Sequence, residues 1–112
     1  MDVATRGSYL GFDRFGIPLV SDEDRVKSLA AVIAAGAGDR VVISHDSVWC
    51  WKGNPFPADF AGPTGKLGPT LIDEQIIPKL LETGVSEAQI DALTHDNPRR
   101  YFEGQPLAEL AR

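Results

Sequence analysis

The sequence predicts an α/β fold, and three observations carry that expectation. An aromatic run over residues 7–12, GSYLGF, and a continuous β-branched run over 41–44, VVIS, both read as strands. Between them lies one helix of roughly 15 residues with a single apolar face. Strand, helix, strand in that order is a βαβ unit, which pairs its strands in parallel through a right-handed crossover. Both strands then end at one edge of the sheet, where open α/β folds place their chemistry.

Taken in order, the first strand is bounded by Gly7 and Asp13, and the following RFGIPLV carries Gly16 and Pro18 and reads as a loop. Ser21, with Asp24 three residues on, forms a capping-box-like helix start. Val26, Leu29, Ala30 and Ile33 recur at helical spacing, and Gly36 can end that helix. Gly38 and Asp39 turn the chain into the second strand, whose unbroken apolar character fits burial on both faces. Residues 47–69 contain Gly53, Pro55, Pro57, Gly62, Pro63, Gly65, Gly68 and Pro69, too many breakers for regular structure. With Trp49, Trp51, Phe56 and Phe60 interleaved, this long segment reads as a lid over a site and not as a solvated linker.

Ile72, Ile76, Ile77, Leu80 and Leu81 then mark an apolar helical face that Pro78 kinks or splits. Ser86 with Gln89 makes a capping box, and Val85 with Ile90 a hydrophobic staple, so a further helix starts at about Glu87. Asn97 is expected to cap, and Pro98 to open, a short final helix, PRRYFE. No internal repeat or low-complexity segment is present.

The 112 residues are expected to form a single unit, well short of the roughly 250 residues of a closed (β/α)8 barrel. Eleven basic against 16 acidic residues give a net charge of −5 with no basic stripe, which argues against nucleic acid as a partner. Cys50 is the single cysteine, so no internal disulfide can form, and a reducing, cytoplasmic setting is expected. Apolar stretches are only a few residues long and residues 1–11 lack a signal-like pattern, so no membrane association is expected either.

Several residues could carry chemistry. Asp46 follows the second strand directly and reads either as a hard oxygen ligand or proton acceptor, or as a cap of the following turn. Strand alternation points His45 away from the side of Asp46, toward packing. Asp13 and Arg14 close the first strand: Arg14 could hold an anionic or carbonyl oxygen with Asp13 orienting it, or the two could be a surface ion pair. Trp49 and Trp51 are pocket walls or loop anchors. Cys50 lacks a CxxC or paired-histidine spacing and reads as a spectator thiol. His95 belongs to a helix end, and Arg99 with Arg100 to a solvated or ion-paired face.

Three stretches in order, GSYLGFDRFG, GDRVVISHD and IIPKLLETGVSEAQIDALTHDNPRRYF, resemble the C-terminal third of the phosphotriesterase family of the amidohydrolase superfamily, particularly its lactonase branch. The resemblance spans roughly residues 6–102 and implies the C-terminal part of a (β/α)8 TIM barrel, with strands seven and eight and their helices. It implies a hydrolase of lactones or organophosphate triesters, in which two divalent ions, Zn or else Fe, Co or Mn, bridged by hydroxide, attack a carbonyl or phosphoryl centre. Asp46 matches the strand-eight carboxylate that ligates the more buried metal and accepts a proton from the bridging hydroxide. Arg14 matches a position lining the substrate pocket, and Trp49 and Trp51 fall in the loop that sets substrate preference. Dimers are suggested for the complete enzyme.

The family's other ligands, a His-x-His on strand one, a carboxylated lysine on strand four and histidines on strands five and six, have no counterpart in these residues. One carboxylate cannot hold two ions, so the 112-residue chain is expected to be inactive by itself and to be a piece of a longer product or to associate with something. The alternative is a non-catalytic remnant or interaction module that keeps the βαβ scaffold.

Overall fold

The structure is a computed structural model and describes residues 2–47, 53 and 68–110. A short helix α1, Asp2–Thr5, opens the chain, an element the sequence reading did not anticipate. Strand β1, Leu10–Phe12, follows, shorter than expected at its start because residues 6–8 form a turn on α1 in which Gly7 adopts φ 80°. Helix α2, Asp22–Val32, leads through a wide turn, Ile33–Ala37, and a 3-10 turn, Gly38–Arg40, into β2, Val41–Ile43. β1 and β2 pair in parallel, Leu10 opposite Val41 and Phe12 opposite Ile43, and the Ser44 N–H extends the ladder to the Phe12 carbonyl at 2.9 Å. The expected βαβ order is therefore present.

Local signals set the ends of α2. Ser21 Oγ accepts the Asp24 N–H at 3.1 Å and donates to the Asp24 carboxylate at 2.7 Å, so the cap closes through the side chain of Asp24 and not through the backbone of Ser21. At the other end Gly36 takes φ 83°, a left-handed step that a residue with a Cβ adopts only with strain. Val26, Leu29 and Ile33 are buried against Val41, and Leu10, Phe12 and Ile43 pack on the same cluster.

The C-terminal half is a helical hairpin. A wide turn, Ile72–Ile76, runs into helix α3, Ile77–Glu82, and helix α4, Glu87–Asp91, runs through a second wide turn, Ala92–Asp96, into helix α5, Asn97–Phe102. Each of these two wide turns is followed by one residue, Ile77 or Asn97, and then a proline. The Ile77 N–H bonds to the Ile72 carbonyl and the Asn97 N–H to the Ala92 carbonyl, five residues back instead of four. A proline inside a helix lacks an N–H and crowds the carbonyl four residues earlier, and widening the preceding turn relieves that clash without breaking the helix. Pro78 and Pro98 are thus absorbed, not helix-splitting.

Two expectations change as a result. Asn97 is not a cap, because its backbone is helical, φ −67° and ψ −46°, in the middle of a continuous run. Leu81 is 40% exposed, whereas Ile72, Ile76 and Leu80, spaced by four, form the buried stripe. The turn between the hairpin arms follows its signals closely. Gly84 takes φ 90°, its N–H bonds the Leu81 carbonyl and the Val85 N–H bonds the Leu80 carbonyl, a Schellman closure. Ser86 and Gln89 then form the expected reciprocal capping box, with Val85 and Ile90 buried in the core on either side of it.

Two buried polar side chains join these elements. Asn97 is fully buried and donates both amide hydrogens, to the Gly38 and Val41 carbonyls, each at 2.7 Å, while its oxygen accepts from Arg100. Arg40 is 1% exposed, holds the Asp39 carboxylate at 3.0 and 3.2 Å, and donates to the Ala4 and Ala108 carbonyls at 2.8 and 3.1 Å. Replacing Asn97 strands the carbonyl of a buried residue of β2. Asn97→Ala is expected to lower unfolding stability by about 2–3 kcal/mol, whereas Ser86→Ala, at an exposed cap, costs about 1 kcal/mol, both read from chemical denaturation.

Candidate functional site

The parallel register puts the ends of β1 and β2 side by side, and the residues singled out in the sequence follow directly. Asp13 and Arg14 come next after β1, and Ser44, His45 and Asp46 after β2. Arg14, with φ 61°, and Asp46, with φ 53°, are the two non-glycine residues with positive φ among the described residues. A left-handed conformation costs an L-residue about 1–2 kcal/mol, less for aspartate, and such strain gathers where a side chain must point in a set direction.

The strain at Arg14 has a visible cause. On one side the chain is held in β1 up to Phe12, and on the other Phe15 is fully buried in the core, so the two residues between them, Asp13 and Arg14, must turn the backbone sharply. The loop beyond is tied to the start of α2: the Gly16 N–H donates to the Asp22 carboxylate at 2.8 Å, and Arg25 donates to the Ile17 carbonyl at 3.1 Å and to that of Val20. Phe15 and these ties escaped the sequence reading. Phe15 is one of several apolar residues in RFGIPLV, with Ile17, Leu19 and Val20, and nothing local marks it as the anchor.

The Arg14 guanidinium projects outward, paired at 3.7 Å with Asp13, and both side chains are more than half exposed. Asp46 is exposed, and its carboxylate makes no hydrogen bond or ion pair among the described residues. His45 is half-buried, and its Nε2 is shielded from solvent with no partner among the described residues. The structure brings Arg14 and Asp46 to one edge without joining them. Trp49, Trp51 and Cys50, and with them most of the expected lid over 47–69, lie outside the described residues.

Other sequence candidates go elsewhere. His95 is not at a helix end: it stands within the continuous run from α4 to α5, with Nδ1 2.8 Å from the Asp91 carboxylate on an exposed face. Arg99 pairs with Asp96 at 3.6 Å at the surface, while Arg100 turns inward to the Asp39 carbonyl at 2.9 Å and to Asn97. Among the described residues no helix is long and apolar enough to cross a membrane.

A cation fits Asp46 as one hard oxygen donor with its lone pairs free. It does not find a complete site, because no three His, Cys, Asp or Glu side chains converge among the described residues and a metal centre takes three or more protein ligands. Because Arg14 sits in a strained conformation that glycine adopts freely, Arg14→Gly is expected to raise unfolding stability by about 0.5–1 kcal/mol, measured by chemical denaturation. A loss of stability instead would mean that the Asp13 pair outweighs the strain.

The comparisons with known proteins agree on one family. The family model of the phosphotriesterase family matches residues 1–102. A phosphotriesterase homology protein of Mycobacterium tuberculosis is 36% identical over 106 residues, covering 93% of this chain and 32% of that protein. An aryldialkylphosphatase of Saccharolobus solfataricus is 33% identical over 105 residues, covering 89% of this chain and 32% of its own length. The solved structure of a mutant PTE-like lactonase of Deinococcus radiodurans is similar with a TM-score of 0.72 and 32% identity, over 84% of this chain and 31% of that one. The chain thus spans about a third of the length of the relatives it matches. With the family model matching residues 1–102, nearly its whole length, the chain belongs to the phosphotriesterase family.

Proposed function

We propose that these residues are the C-terminal part of a metal-dependent hydrolase acting on lactones or organophosphate triesters, with β1 and β2 serving as barrel strands seven and eight. The observation that carries this reading is the placement of Arg14 and Asp46, each in a left-handed conformation, past the same end of two register-matched parallel strands. The names of the aryldialkylphosphatase and the PTE-like lactonase support the two substrate classes. The remaining strands and ligands belong to residues outside this chain.

Divalent cations bound at such an edge supply Lewis acidity, lowering the pKa of water and polarising the substrate oxygen. Asp46 would hold such a cation through its carboxylate and would accept a proton from the attacking water. Its exposure, and the lack of a hydrogen bond or ion pair to it among the described residues, would leave the carboxylate available for those tasks. Arg14 donates charge-assisted hydrogen bonds to the carbonyl or phosphoryl oxygen of the substrate, and Asp13, on its Nε side, restricts the swing of the guanidinium. Trp49 and Trp51 are assigned to the walls of the substrate pocket.

The test uses the polypeptide that carries these residues at its native length. Asp46→Ala should lower hydrolysis of a lactone or an aryl dialkyl phosphate by well over about tenfold and reduce bound divalent metal in parallel. A smaller fall with metal content unchanged would overturn the assignment of Asp46. Arg14→Ala should act mainly through KM with metal content intact.

A further inference from the structure

Residues 105–108 lie beyond the stretch that the family model matches, yet they are tied back to the start of the chain. The reversal is built at Gly104, which takes φ 68°: its N–H bonds the Tyr101 carbonyl at 3.1 Å, and the Gln105 N–H bonds the Arg100 carbonyl at 3.0 Å. This is a second Schellman closure, and it sends the backbone away from α5 across the turn that follows α1.

Three contacts meet there. Tyr9 Oη donates to the Gln105 carbonyl at 3.3 Å. The Leu107 carbonyl oxygen lies 3.0 Å from where a Cβ on Gly7 would stand, so the two backbones touch at a position that glycine alone leaves open. Arg40 Nη1 donates to both the Ala108 and the Ala4 carbonyls, joining the two segments through one guanidinium. By contrast, no residue of 103–110 belongs to the buried apolar cluster, and Leu107 and Leu110 are only half-buried. A segment held by a few polar contacts, without a buried apolar anchor, is the kind that opens locally while the core stays closed.

We propose that residues 105–108 form a latch that closes over the N-terminal turn and Arg40 and opens as a local unit, independent of the sheet and its helices. The charge balance permits this. Arg40 keeps its two contacts to the Asp39 carboxylate when the latch leaves, so opening strands no unpaired ion. Arg40 leads directly into β2, so the latch lies at the sheet end opposite Arg14 and Asp46.

Gly7→Ala tests the latch, because the added methyl group would press on the Leu107 carbonyl without touching Arg40. Gly36→Ala is the matched control: its φ, 83° against 80°, imposes the same backbone strain, and nothing lies within 4 Å of its Cβ. Tyr9→Phe removes one latch contact with no backbone strain. Amide hydrogen exchange is followed by mass spectrometry on the native-length polypeptide. Gly7→Ala should speed exchange over residues 2–9 and 104–110 by about tenfold or more while 22–32 and 41–43 keep their rates, Tyr9→Phe should do the same to a smaller degree, and Gly36→Ala should leave both latch segments unchanged. Unchanged exchange at 2–9 and 104–110 in Gly7→Ala would overturn the proposal. So would acceleration spread evenly over all segments, or a Gly7→Ala protein that does not fold, since an independent latch must leave the core standing.

Discussion

The rest of the structure depends on how β2 is held. A parallel pair cannot be closed by a tight hairpin, and two short strands have little stability of their own, so their register must be imposed from outside the sheet. It is imposed at the entrance to β2. Asn97, from a helix more than fifty positions later in the chain, donates to the carbonyls of Gly38 and Val41, and Arg40, the residue just before the strand, is buried against Asp39. Buried polar groups are costly when unpaired, so these bonds admit one placement of the helical hairpin against the strand and penalise its neighbours. Val41 itself is fully buried between the hairpin and α2.

Once β2 is fixed, the far edge of the sheet follows. Phe12 lies opposite Ile43, so the chain leaves both strands at the same level. Phe15, seated in the core, then forces Arg14 through a left-handed step. The same conformation occurs at Asp46, after a half-buried histidine. The energy stored at these two positions is small compared with what the core supplies, and it sets the direction in which a cation and a carboxylate leave the sheet. Rigid packing at one end of the strands and directed, exposed charge at the other is the division of labour expected of strands that carry a site.

Much of this was legible in the sequence, and the reason is locality. The order of strand, helix and strand, the Ser21 and Ser86 caps and the helix end at Gly36 each rest on residues within a few positions of one another. The positions of Arg14 and Asp46 just past the two strands are local in the same sense. The features that escaped are those that need the whole chain. Asn97 before Pro98 carries the local signature of a helix start, and tertiary packing overrode it by keeping the chain helical and burying the side chain against β2. Arg40 carries no local signal of burial, which comes from the segments around Ala4 and Ala108 that enclose it. Pro78 signals a kink or a split and Pro98 a helix start, but wide turns carry a continuous helix past both, with buried residues on either side.

Native mass spectrometry of the gene product from its source cells tests the central claim, that this edge is one part of a metal-dependent site built across a longer chain. The account predicts a polypeptide of about three times the mass of these 112 residues, since they span 32% of the relatives, carrying two divalent cations. A mass matching these residues alone, or a longer polypeptide that holds no cation, would contradict it.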